Sequence, residues 1–421
     1  MASTTCWLAV ILTGTLGAPV VQDEDSRYRV TGRLIAPGGS AERQFGKAVA
    51  ISDRWLAIAS DRGEDGVLDP GSVLLYGVGV DWIGRPVRIT APDRDWPDEF
   101  GSAMEFCGRR LLVGAPGDSE LGWDRGAAWI FRDTGSWGPG MALKPSGTGP
   151  GDRFGDSVAI DGSWIAVGAP RSDRRGVDSG AVHLFEQDGS RWVEEAVVVA
   201  PDGAGSDFFG DAVALQGSWL AVGAWADDDR GEKTGSVWIF RYRDGAWRSV
   251  QKLVPEEAGA RARFGWTVAF TGEWLVVGST GWNDDQGAIY AFRLEDDRWV
   301  ARSRLSSRDG APGDWLGFAL GADQGCVVAG APGRTTEGRM EGGIELFVLD
   351  QEAWRWQASL GAGRDGFEQP SQFGWSVEAH GPRVLVGRID DADGVPEPGR
   401  AWLVERYGSP ASTGPPAAAA R

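Results

Sequence analysis

The side chains best suited to chemistry in this sequence are tryptophans and carboxylates that fall outside its regular pattern. Five tryptophans (Trp96, Trp123, Trp225, Trp282 and Trp315) stand in segments rich in Gly, Asp and Ser, and the acidic runs Asp227-Asp228-Asp229 and Asp284-Asp285 lie close to two of them. An indole beside a carboxylate can stack on a sugar face while the carboxylate accepts hydroxyl protons, or it can anchor a protein partner. The plainer alternatives are that the rings fold back as lids on the core and that the acids are solvated turns. Further carboxylates crowd similar segments: Asp61, Glu64, Asp65 and Asp69; Asp118, Glu120 and Asp124; Asp390, Asp391 and Asp393. Calcium takes about six to eight oxygens from a loop with a bend that glycine permits. Asp391-Ala392-Asp393-Gly394 comes nearest to that, which makes Asp391 and Asp393 the candidate metal ligands and calcium the one cofactor to consider.

Catalysis has little to stand on. The chain holds two histidines, His183 and His380, and no Gly-x-Ser-x-Gly elbow, His-Glu-x-x-His pair or phosphate loop. A carboxylate pair for glycoside hydrolysis stays open, because 60 acidic residues offer many spacings.

The elements that must position these groups come from a phrase written seven times, clearest at RFGDSVAIDGSWIAVGAP from Arg153 to Pro170. The Gly of a Phe-Gly pair falls at Gly46, Gly101, Gly155, Gly210, Gly265, Gly317 and Gly374. Thirteen residues after each comes a small residue: Ala59, Gly114, Gly168, Gly223, Gly278, Gly330 and Gly387. Twelve further on stands a third glycine in six copies, and in the fifth it comes three residues early, at Gly287. Such constancy means one supersecondary unit, repeated.

Within a copy the apolar residues alternate in short runs bounded by Gly, Asp and Ser, which reads as antiparallel strands. The third copy gives four: Ser157 to Ile160, Trp164 to Val167, Ala181 to Phe185 and Trp192 to Val199. Four strands make one propeller blade. The fourth strand carries an aromatic six residues before an aliphatic, as in Trp192/Val198 and Trp247/Leu253; the seventh copy ends without it, and Tyr28/Leu34 keeps that interval near the N-terminus. The expected fold is therefore all-β: a seven-bladed propeller of four-stranded antiparallel blades, the last closed by the N-terminal strand so that no edge is left unpaired. In such a ring the 2–3 loops and blade connectors share one face. Because the 1–2 turns are minimal, that face is the expected working surface, and it gathers all five irregular tryptophans. Asp98, Asp152, Asp207 and Asp314, two residues before each Phe or its Leu316 substitute, read as turn caps.

Phe-Gly followed after thirteen residues by Gly-Ala-Pro (Gly114-Ala115-Pro116, Gly168-Ala169-Pro170, Gly330-Ala331-Pro332) resembles the FG-GAP repeat, the blade unit of the integrin alpha-chain propeller and of many exported bacterial proteins. The resemblance covers about residues 27 to 406. Leu316 replaces Phe in copy six, and Ala-Trp, Ser-Thr, Ala-Ser and Arg-Ile replace Ala-Pro elsewhere. It implies calcium loops of the DxDxDG kind between strands 1 and 2. This chain has no residues there to hold the ion, so that site is not carried over. The Phe-Gly and Gly-Ala-Pro residues are read as structural: the first Gly for a sharp turn, the Phe for packing between blades, and the second small residue to let strand 2 leave the sheet.

The formal net charge of −18 argues against a nucleic-acid partner. Cys6, Cys107 and Cys326 form no disulfide framework, and the last two are expected as free thiols. Residues 1–22 read as an export signal, 23–407 as the propeller and 408–421 as a disordered Pro/Ala-rich tail; no later stretch reaches the length of a membrane helix. The expectation is a monomeric, non-enzymatic binding or adhesion module, secreted, periplasmic or on the cell surface, that presents an acidic, tryptophan-bearing face to a glycan or an extracellular protein. A glycan-active hydrolase and a pure scaffold are the alternatives.

Overall fold

The structure is a computed structural model; it describes residues 28–35, 44–62, 68–78, 86–92, 98–120, 122–336, 338–361, 372–389 and 399–406. The export segment, the tail, Cys6, Trp96, Glu64, Asp65, Asp390, Asp391 and Asp393 lie outside them.

Seven four-stranded antiparallel sheets are found among the described residues. The third shows the plan: Val158–Asp161, Trp164–Ala169, Ala181–Asp188 and Arg191–Val198, paired in that order. Each agrees with its sequence expectation to within a residue or three at the ends. The first strand of every blade touches the first strand of the next, around to blades seven and one, so the ring is closed about a central channel.

Closure is made as the interrupted pattern requires. Tyr28–Ile35 pairs antiparallel with Arg400–Arg406, placing Leu34 opposite Ala401 and Tyr28 opposite Arg406, with a bulge between Val30 and Gly32. The last blade thus joins the two ends of the chain, and both edges of its third strand are hydrogen-bonded.

There is one apolar cluster at each seam between blades rather than a single central core. Phe154, for example, is fully buried between Leu112 and Ile130 of blade two and Ile165, Val167 and Phe185 of its own blade. The repeated glycines belong to these seams, and their role differs from the sequence reading. Strand 2 runs on through Gly168 to Ala169, so the small residue is not an exit from the sheet. A Cβ on Gly168 would lie 2.0 Å from the carbonyl oxygen of Gly210 in the next blade, and one on Gly180 would lie 2.0 Å from that of Phe209. Glycine is needed because the backbones of neighbouring blades approach closely. The early Gly287 keeps the same contact, meeting Leu316 as Gly180 meets Phe209.

At the lower end of the channel, where the 1–2 turns lie, each turn reaches for its neighbour. The amide of Gly217 donates to Asp161 (2.6 Å), Gln216 Nε2 to the carbonyl of Gly272 (2.7 Å), the amide of Gly325 to Thr271 (3.2 Å) and that of Gly381 to Asp323 (2.6 Å). His380 and Asp53, 2.9 Å apart, carry this belt from blade seven to blade one, and Arg110 spans the second and third blades through the carbonyl of Gly162.

Candidate functional site

The upper end of the channel is built by the residue that follows each Phe-Gly pair. Its flanks are uniform, with Gly before it and a small residue after it, but the seven occupants differ in kind: Lys47, Ser102, Asp156, Asp211, Trp266, Phe318 and Trp375. Ring order follows chain order, so polar and charged residues occupy blades one to four and aromatic ones blades five to seven. Lys47, Ser102, Asp156, Phe318 and Trp375 line a cavity of about 280 Å³ at this mouth.

The aromatic half is continuous. Trp266 and Phe318 have ring centroids 5.7 Å apart, Phe318 and Trp375 4.6 Å, and all three are half-buried. Trp225 extends the row: it lies 5.3 Å from Trp266 edge-on and stacks on Phe208 at 5.5 Å with planes 5° apart. Trp225 fills the place of Pro in Gly-Ala-Pro, which puts an indole at the blade four to five seam. Lys233 sits 5.6 Å over its ring, so Trp225 serves chiefly to support Trp266.

The polar half is partly self-paired. Arg153 donates to Asp156 (3.2 Å) and Glu99 (2.8 Å), and these two carboxylates hold its guanidinium charged against the cost of burial. Lys47 donates to Ser102 Oγ at 3.4 Å. The Asp211 side chain accepts no hydrogen bond from any described residue, and burial, followed by the nearby Asp156, pushes its pKa up to about 7. Three residues farther along each first strand the ring is Ala50, Ala159, Ala214, Ala269 and Gly321, with Glu105 and Glu378 in the remaining blades. These two glutamates line a second cavity of about 170 Å³ toward the lower end, and desolvation raises them to about 8 and about 7.

The sequence-derived candidates are spread over the same face, and the structure brings only some of them together. Trp123 is 71% exposed and lies against the connector of blade three, its carbonyl accepting from the Gly151 amide. Trp282 packs against the seam between blades four and five, with Arg304 4.2 Å over its ring. Trp315 covers the backbone at Gly333 and donates its amide to the Asp285 carbonyl. Asp284 and Asp285 occupy a short left-handed turn, and Asp285 pairs with Arg263 at 3.3 Å.

Asp227 and Asp229, with Asp202, are the one group among the described residues whose carboxylates could together hold a metal ion. Lys252 Nζ already lies among them, at 2.7 Å from Asp202, 2.7 Å from Asp227 and 2.6 Å from Asp229, and it holds Asp229 below the usual carboxylate range. Asp227 also accepts from Ser236 Oγ at 2.6 Å, while Asp228 is exposed. The capping aspartates act as expected: Asp152, Asp207 and Asp314 accept from the amides of Gly149, Ala204 and Ala311. His183 is buried with Nδ1 2.5 Å from Glu194. Cys107 and Cys326 are free thiols.

Trp266, Phe318 and Trp375 were passed over in the sequence because they lie in register with the repeat. The available signal was the change of chemical character at one slot between a constant Gly and a small residue.

Against known proteins, the FG-GAP repeat family matches residues 137–185, 192–240 and 247–292. Two of the stretches start at the Trp of a fourth strand and the first at Trp137, shortly before one, and each runs through three strands of the next blade, the same offset that lets an N-terminal strand close the ring. A search of curated proteins finds no match. The chain is thus a closed seven-bladed β-propeller that carries FG-GAP repeats in three places.

Proposed function

We propose that the protein is an exported, non-enzymatic binding propeller that captures a glycan at the upper mouth of its channel. The supporting observation is the unbroken run of Trp266, Phe318 and Trp375, of which Phe318 and Trp375 line one cavity together with Asp156, Lys47 and Ser102. Half-exposed rings in a row offer successive stacking faces for pyranose rings, and carboxylates opposite them accept hydroxyl protons. The FG-GAP propeller is a fold suited to binding or adhesion, and in this chain the minimal, mutually bonded turns of the lower end leave the upper end as the surface with uncommitted groups. No helix among the described residues is long and apolar enough to cross a membrane.

The non-enzymatic part of the proposal rests on the site's chemistry. Asp156 is engaged by Arg153, which leaves Asp211 without an obvious second carboxylate free to share acid and nucleophile roles. The calcium candidates Asp391 and Asp393 lie outside the described residues. The test is a panel of oligosaccharides titrated with and without a calcium chelator, followed by product analysis. Retention of one class without bond cleavage is the expected result; release of shorter sugars would make the protein a hydrolase, and a flat response across the panel would make it a scaffold.

A further inference from the structure

We infer that the glycan is captured by its end: a terminal sugar ring enters the axial cavity lined by Phe318 and Trp375 with Lys47, Ser102 and Asp156, and the next ring rests on Trp266 at the rim. This rests on the glycan reading above and adds that the ligand must present a free chain end.

Three features of the mouth lead to it. First, the cavity is walled on every side. Each of the seven first strands gives two or three consecutive residues to its lining, from Ala48 in blade one to Val377 in blade seven. A space encircled in this way is reached along the axis, so a chain lying across the face meets the rim alone. Its volume of about 280 Å³ is at the small end of small-molecule sites, which begin at about 300 Å³, and suits a single ring rather than a run of them.

Second, the aromatic row is curved. The planes of Trp266 and Phe318 are 39° apart and those of Phe318 and Trp375 49° apart. A sugar chain laid flat needs rings that share one plane, whereas successive tilts of this size wrap the row around whatever stands at the axis. Of the three rings, Phe318 and Trp375 line the cavity. In blade five its wall is made by Thr267 and Val268, which leaves Trp266 beside Phe318 as a step at the rim.

Third, the wall can match sugar hydroxyls although its own side-chain hydroxyls are spent. Ser157, Thr267 and Ser376 donate to the carbonyls of Gly210, Gly317 and Gly46 in the seams, at 2.6, 2.8 and 2.7 Å. Each first strand, however, is hydrogen-bonded to a neighbouring strand on one side only, and its other edge turns backbone amides and carbonyls to the axis. The Ile160 amide shows the direction, since the Glu105 carboxylate of the preceding blade accepts from it at 2.8 Å. Such an edge offers donors and acceptors together, and a hydroxyl is both at once. It serves a ring that reaches into the channel, not one lying above it.

The experiment titrates linear oligomers and long chains of glucose, N-acetylglucosamine, galactose, mannose and xylose, with the protein-to-chain ratio measured at saturation. For the sugar that is bound, affinity should stop rising once the chain is about three rings long, and long chains should carry one protein each, because the end alone fits. The variant Ser102→Trp separates the two geometries further. Trp and Phe already occupy this slot in blades five to seven, so the fold accepts an indole there and the melting temperature should hold. Filling the mouth should cut binding at least about tenfold, whereas a chain stacked across the face would gain another ring and bind as well or better. Should the variant unfold, the protein-to-chain ratio alone decides. Several proteins on one long chain, or undiminished binding by Ser102→Trp, would overturn end capture and leave the glycan reading standing. Failure of the wild type to bind any of the sugars would remove both.

Discussion

The two ends of the channel are built by the same seven strands and have opposite characters. At the lower end the turn residues Asp161, Gln216, Thr271 and Asp323 each bond the next blade's turn, and His380 with Asp53 completes the passage across the closure. At the upper end the residue after Phe-Gly bonds no repeating partner: Trp266, Phe318 and Trp375 lie against one another, and Asp211 accepts no side-chain hydrogen bond from the described residues. Polar groups consumed by the fold hold blades in register, whereas groups the fold leaves over can meet something else. The difference is what supports placing the proposed binding function at the upper mouth, without appeal to loop length.

Both ends depend on the seams, so the largest expected effect comes from breaking one. Gly180→Val places side-chain atoms on the Phe209 carbonyl and also requires a β-branched residue at φ +84°. It should lower stability by more than about 4 kcal/mol in urea denaturation, abolishing both ends at once. If the variant melts like the wild type, close approach of the backbones is not what fixes the repeat.

Next in size is the cost of keeping acids inside the channel. Glu105 at about 8, Glu378 at about 7 and Asp211 at about 7 retain protons in the folded protein over a range where the unfolded chain, with ordinary carboxylate values, has released them. Stability therefore falls as pH rises from about 4.5 to about 8 and levels off above. Replacing both glutamates, Glu105→Gln with Glu378→Gln, should flatten this slope and raise stability at pH 8 by something of the order of 3 kcal/mol. A pH-independent melting temperature between 5 and 8 in the wild type would show that these carboxylates are solvated.

The repeat made most of the fold legible. The spacing of Gly155, Gly168 and Gly180 recurs, with Ala59 at the second position of blade one and Gly287 three residues early in blade five, because the contacts between neighbouring backbones leave little or no room for a side chain; blade number could be read from that period and the closing strand from the Tyr28/Leu34 interval. The reason for the spacing was not legible, since the partners of Gly168 and Gly180 are Gly210 and Phe209 of the next blade, a relation that exists only in the assembled ring. The site was less visible. Out-of-register residues such as Trp123 and Trp282 drew attention, yet the first is isolated at the rim and the second packs against a seam. Trp225, singled out with them as a tryptophan outside the repeat positions, does join the aromatic row. Trp266, Phe318 and Trp375, some 50 residues apart in sequence, become neighbours through the curvature of the ring. Likewise the Asp227 run looked free because its partner Lys252 stands on the fourth strand of the blade, 23 residues beyond Asp229.

The most direct test sets the two ends against each other in a single binding measurement. With the oligosaccharide that the wild type holds tightest, Trp375→Ala at the upper mouth should weaken binding about tenfold or more while the melting temperature stays nearly constant. Asp323→Ala at the lower belt should cost about 1 kcal/mol of stability and leave affinity unchanged. Undiminished binding by Trp375→Ala, or loss of binding with Asp323→Ala alone, would contradict the placement of the ligand at the upper mouth.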